Sequence, residues 1–217
     1  MRPRVANLWF ASMTTLALVA IGVSRADAQD IGFRGFGEFG GTRMAASESF
    51  KAVTGSPSGV MFGGGVEVVF AEGLFVNVRA SRFQKDGSRV FVLGDQVFNL
   101  GIATTVRVTP VEVSAGYRFK VGRRQVVPYL GGGVGWYRYS ETADFAGAGD
   151  DVNETHTGYH VLGGAEYRLS RLFGVAGELE WSIVPNALGQ NANSVSAAFD
   201  ETSLGGTTFL AKFIVGR

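Results

Sequence analysis

The sequence predicts an all-β fold, an eight-stranded antiparallel up-and-down transmembrane β-barrel with long extracellular loops and short periplasmic turns. Three observations predict it. Beyond residue 28, apolar and polar side chains alternate with a period of two, and helical periodicity does not recur. Short and long connections between these runs alternate along the chain. Glycine supplies 32 of 217 residues, about twice the usual share. With no G-X-Y period and only 5 prolines, neither collagen nor proline-rich disorder explains that excess. Gly63-Gly64-Gly65 and Gly131-Gly132-Gly133 sit inside apolar stretches, where glycine permits tight bending and lets neighbouring aromatic rings lie over the backbone.

The chain opens with an address. Arg2 and Arg4 precede an apolar segment over residues 8–23 that closes on Ala26-Asp27-Ala28, the pattern of a secretory signal peptide over residues 1–28 cleaved before Gln29. Ser12, Thr14 and Thr15 interrupt the segment, which falls short of the roughly 20 apolar residues of a spanning helix. Residues 29–217 are then one domain. Losing Arg2, Arg4, Arg25 and Asp27 takes the formal charge from +1 to −1, a near-neutral balance that gives no electrostatic reason to expect nucleic acid. Cysteine is absent, so disulfides and thiolate metal sites are excluded.

In order, the first strand lies around residues 31–42, where the alternation is not clean enough to give every residue a face. The second sets Val66, Val68 and Phe70 against Glu67, and the third Val76, Val78 and Ala80 against Asn77, Arg79 and Ser81. The fourth is the clearest, with Val111, Val113, Ala115, Tyr117 and Phe119 opposite Glu112, Ser114, Gly116 and Arg118. The fifth, around residues 126–140, again has mixed faces. The sixth sets Tyr159, Val161, Ala165 and Tyr167 against His160, Gly164, Glu166 and Arg168. The seventh sets Val175, Leu179, Trp181 and Ile183 against Glu178, Glu180 and Ser182, and the eighth Phe209, Ala211, Phe213 and Val215 against Thr208 and Lys212. Tight links at 71–73, 120–125 and 170–171 alternate with long polar ones at 43–59, 84–102, 141–156 and 185–203, which puts both termini on the short-turn side. Within the second long link, residues 89–93, Gly94-Asp95 and residues 96–100 read as a hairpin that extends the wall beyond the membrane.

A sheet in hydrocarbon must close on itself, because every backbone N–H and C=O needs a partner. A Lys or Arg on the lipid face at mid-depth costs about 2–4 kcal/mol. The ionic face therefore points inward. The expected lumen network is Glu67, Arg79, Glu112, Arg118, Glu166, Arg168, Glu178, Glu180 and Lys212. Two interfacial girdles are expected, from Phe70, Tyr117, Phe119 and Tyr167 at the low end and from Trp136, Tyr159, Trp181 and Phe209 at the high end.

Val111-Glu112-Val113-Ser114-Ala115-Gly116-Tyr117-Arg118-Phe119, Val127-Pro128-Tyr129-Leu130-Gly131-Gly132-Gly133-Val134-Gly135 and Leu204-Gly205-Gly206-Thr207-Thr208-Phe209 resemble the small OmpA/OmpW-like outer-membrane β-barrels of Gram-negative bacteria. The resemblance covers most of residues 29–217 and rests on Gly/aromatic phrasing. It implies residence in the outer membrane, contact with its lipid and lipopolysaccharide, insertion by the barrel assembly machinery, and a monomer. Members of the family usually end on an aromatic residue, whereas this chain reads Phe213-Ile214-Val215-Gly216-Arg217; either Phe213 serves from an inner position or assembly is less efficient.

No catalytic, cofactor or metal site is expected. Glu178 and Glu180 are about 6.5–7 Å apart along a strand, within the separation inverting glycosidases use, but Arg79, Arg118, Arg168 and Lys212 stand ready as counter-ions. His156 and His160 share a strand face about 13 Å apart by rise, too far to share a metal. Lipid A-modifying barrels use a Ser and a His, but the next same-face neighbour of His160 along the chain is Leu162. Gly35-Phe36-Gly37-Glu38-Phe39-Gly40 matches a dinucleotide fingerprint without the strand and helix that give it meaning. Asp150-Asp151-Val152-Asn153-Glu154 lacks the glycine and distal Glu of a calcium loop. The expected function is a structural or passive-permeability barrel whose lumen is filled by charge pairs. Its alternatives are an OmpW-like channel for small apolar solutes, a secreted soluble lipocalin-like binding protein, and a lipid A-modifying enzyme.

Overall fold

The computed structural model describes residues 31–93, 96–119, 125–143, 152–189 and 194–217. The signal-peptide reading, the Gly94-Asp95 turn, most of the second short turn and Asp150-Asp151 lie outside the described residues.

Eight strands form one closed antiparallel barrel in chain order: β1 (Gly32–Met44), β2 (Ser58–Val69), β3 (Leu74–Leu93), β4 (Gln96–Arg118), β5 (Val126–Ala143), β6 (Val152–Arg168), β7 (Phe173–Ile183) and β8 (Gly206–Gly216). Closure is made by β1 and β8, which pair from Arg34 opposite Gly216 to Met44 opposite Gly206. The ring leaves no free edge, which satisfies the backbone as hydrocarbon requires. At the short-turn end, β2 and β3 are joined through Phe70–Gly73: Gly73 donates to the Phe70 carbonyl and adopts φ +96, a left-handed conformation glycine tolerates.

Outward positions are apolar. Val111, Leu130, Val161, Val175, Leu179 and Phe213 are exposed on the outer wall, while Glu112, Arg118, Glu178 and Lys212 are buried inside it. This overturns the lipocalin-like alternative, which requires the opposite facing. Arginine placed at outward-facing Val113 is expected to cost about 2–4 kcal/mol, read as a lowered urea midpoint for refolding into lipid.

The glycine runs do what their position in apolar strands suggests. The Phe75 ring lies where side chains on Gly116 and Gly131 would stand: a Cβ added there would come within 2.6 and 3.0 Å of it. Tyr129 occupies the same kind of space over Gly164. Phe75 and Tyr129 meet edge to face at 6.1 Å, forming with Leu162, Ala176 and Ile214 a small apolar layer inside the lower barrel.

The hairpin predicted over residues 89–100 is present as the outer ends of β3 and β4, which pair out to Leu93 opposite Gln96 with a bulge between Ser88 and Val90. Two short helices were not expected from the sequence. In the long link predicted at 43–59, α1 (Ser47–Thr54) follows β1, and α2 (Val195–Ala198) sits in the link before β8. Phe50 of α1 meets Phe83 edge to face at 6.0 Å. Around that pair Met44, Met61, Val106, Val108, Tyr137, Val184 and Leu204 form an apolar cap across the outer end of the lumen.

Candidate functional site

The interior below the cap is built by register. Arg79 of β3 stands opposite Glu112 of β4, Glu38 of β1 opposite Lys212 of β8, Arg34 opposite Glu67 across β1 and β2, and Arg118 opposite Tyr129 across β4 and β5. All have inward positions in their strands, so their charges converge on the axis.

Arg79 is the hub of the upper cluster. Its Nε donates to Glu112 at 2.9 Å and its Nη1 to Glu178 at 2.8 Å, while Nη2 reaches both Glu112 and Glu180. Glu38 lies 3.7 Å from Arg79 and accepts from Ser81 at 2.7 Å. Lys212 donates to Glu178 and stands 4.7 Å over the Phe36 ring. Tyr129 and Tyr137 donate to Glu178 and Glu112. Two cations thus face four carboxylates at positions almost shut from water, Arg79 being 2% exposed and Glu178 1%. In the lower cluster Arg34 and Arg118 both reach Glu67 and Glu166, the Arg34–Glu166 bond measuring 2.8 Å. A void of about 10 Å³ between the clusters has room for about one water.

Of the predicted network, Glu67, Arg79, Glu112, Arg118, Glu166, Glu178, Glu180 and Lys212 are brought together in these two clusters. Arg168 is not. It has the inward parity but is the last residue of β6, where the wall ends; its side chain is 54% exposed, and its contact with Glu166 is 3.7 Å. The sequence reading missed Arg34, Glu38, Tyr129 and Tyr137. Arg34 and Glu38 lie four apart on one face of β1, a signal hidden by Phe36 and the surrounding glycines.

It also missed the partner of His160. Along β6 its inward neighbour is Leu162, but across the wall Ser114 Oγ lies 2.7 Å from His160 Nε2, with only Gly133 between them in the ladder. His160 Nδ1 faces Glu112 at 3.7 Å and makes no hydrogen bond. The order Ser, His, Glu is that of a hydrolytic triad, yet all three are at most 3% exposed and neither Ser114 nor His160 lines the void between the clusters. His156, on the same strand, pairs with Glu154 at 3.2 Å. Gly35 to Gly40 lie within β1. Among the described residues no group of three or more His, Asp or Glu is placed to hold a metal.

Of the predicted girdle residues, Trp136, Tyr159, Trp181 and Phe209 are exposed on the outer parts of β5 to β8, and Tyr117, Phe119 and Tyr167 are exposed near the inner ends. Phe70 differs: it is half-buried in the β2–β3 turn and lines the periplasmic mouth. Beyond the outer ring, burial and the neighbouring Glu141, which accepts from Tyr139 at 3.0 Å, push the Tyr139 hydroxyl far above the usual phenol range.

A closed eight-stranded ring with hydrocarbon-facing residues outside and ion pairs within defines an integral outer-membrane β-barrel protein. The family model for the outer membrane protein β-barrel domain matches residues 13–200, and the chain belongs to that family and resides in the outer membrane. Neisserial surface protein A superposes with a TM-score of 0.53 at 16% identity, over 85% of this chain and 96% of that one, a likeness of fold. The N-terminal β-barrel domain of Pseudomonas aeruginosa OprF gives 0.49 at 11% identity over 86% and 96% of the two chains. Ail of Yersinia pestis gives 0.43 at 14% identity over 86% and 95%. No curated protein matches the chain.

Proposed function

We propose that this barrel is a structural, non-conducting component of the outer membrane, its lumen closed by packed ion pairs beneath an apolar cap. The single observation supporting this is the filled interior: the axis is crossed by the Arg79 and Arg118 clusters, with a void of only about 10 Å³ between them. An eight-stranded barrel is just wide enough for side chains to fill it. Insertion by the barrel assembly machinery, contact with lipopolysaccharide and a monomeric state belong to the same reading. A catalytic role does not, because Ser114 and His160 are sealed from substrate. Planar-bilayer recording of the purified barrel tests it: the expected result is no channel steps in molar salt. Regular steps, or uptake of small apolar solutes into barrel-loaded vesicles, would instead establish the channel alternative.

A further inference from the structure

The periplasmic mouth opens into a vestibule of about 1160 Å³ that the closed lumen does not use. Its charges are one-sided. Arg34 and Arg118 at its floor are matched by Glu67 and Glu166. Arg168 and Arg171 stand above them at the rim, both exposed, and among the described residues only the 3.7 Å approach of Arg168 to Glu166 offsets them. Arg217 also lines the space and is held at the end of β1 by its N–H bond to the Phe33 carbonyl. Among the described residues that line it, Arg168 and Arg171 are in excess. Val69, Phe70, Leu169 and Ile214 add an apolar part to its wall, beside the polar Gln125 and Ser170.

We propose that this vestibule binds an anionic amphiphile with a phosphate head, the arginines holding the head and the apolar wall taking the first part of the tail. Guanidinium forks present paired N–H donors suited to phosphate oxygens. The rim arginines approach from different elements, Arg168 from β6 and Arg171 from the β6–β7 turn. That spread suits a head with oxygens on several sides better than a planar carboxylate. The apolar wall next to the rim selects a tailed phosphate over a bare one. The same head chemistry can come from a phospholipid of the inner leaflet or from a free organic phosphate in the periplasm.

The test uses the full barrel in zwitterionic nanodiscs, titrated with hexyl phosphate and followed by 31P NMR and calorimetry. Saturable binding is expected, weakened ~10-fold or more by the R168Q/R171Q double variant through loss of charge-assisted hydrogen bonds. Inorganic phosphate should bind more weakly than hexyl phosphate, and hexyltrimethylammonium should not compete. Both variant positions are exposed, and retention of the heat-modifiable gel shift confirms that the variant folds. Native mass spectrometry of barrels extracted from phosphatidylglycerol-containing membranes separates the sources: a retained lipid lost in the double variant identifies a headgroup, and hexyl phosphate binding without retained lipid identifies a free organic phosphate. Equal affinity in the double variant, or competition by hexyltrimethylammonium, would overturn the proposal.

Discussion

Arg79→Ala is expected to lower the stability of the folded barrel by about 3–5 kcal/mol, the cost of stranding buried charges when one partner of a buried pair is removed. The figure follows from the position. Arg79 bonds Glu112, Glu178 and Glu180 and approaches Glu38. Its loss leaves Lys212 alone among four carboxylates in a region nearly closed to water. Urea titration of the barrel in vesicles, followed by the heat-modifiable gel shift, measures the loss. Arg79→Lys keeps the charge but not the fork, and should fall between wild type and Arg79→Ala. Adding Glu180→Gln to Arg79→Ala removes one stranded carboxylate and should recover part of the loss. A change below about 1 kcal/mol for Arg79→Ala, the range of exposed ion pairs, would show that water reaches the cluster freely.

Phe83→Ala is expected to cost about 3–5 kcal/mol as well, for a different reason. Phe83 is fully buried in the apolar cap and carries the edge-to-face contact with Phe50 of α1, so truncation removes both buried area and the seat of that helix, and leaves a cavity. α1 is also tied to the Glu201 carboxylate, which accepts from the Glu48 and Ser49 N–H groups and the Ser49 hydroxyl, but it belongs to no strand ladder, so its loosening should show locally before the barrel unfolds. Trypsin cleavage after Lys51 should quicken several-fold at urea concentrations where the gel shift of the barrel is intact. If cleavage and global unfolding move together, cap and ring form one cooperative unit.

The faces of β4, β6, β7 and β8 were legible because alternation there is nearly strict: inward Glu, Ser, His and Lys residues alternate with apolar or aromatic ones. Those strands fixed both the inside of the ring and most of the charged cluster. β1 and β5 were not legible, because glycines and aromatics occupy both of their faces; Arg34, Glu38, Tyr129 and Tyr137 were lost with them. The cap was invisible for a related reason. Above the membrane Met61, Phe83, Val106 and Val108 turn inward, so apolar character no longer distinguishes lumen from lipid. α1 has eight residues, too short for its periodicity to stand out. Ser114 was missed as the neighbour of His160 because their contact crosses two strand pairings, whereas inspection of a sequence follows one strand at a time. Arg168 was given the right side of the wall but not the right depth, since parity carries no information about where a strand ends.

The ion pairs of the lumen also tie the first strand to later ones. Arg34 on the first strand meets Glu166 on the sixth, and Glu38 on the first faces Lys212 on the last. The Glu38–Lys212 contact spans the β1–β8 seam itself and cannot form while the sheet is open there. An unfinished barrel therefore holds ionic groups without their mates, and hydrocarbon rejects it until the seam zips. For Glu38 and Lys212, charge pairing and closure of the wall are one step.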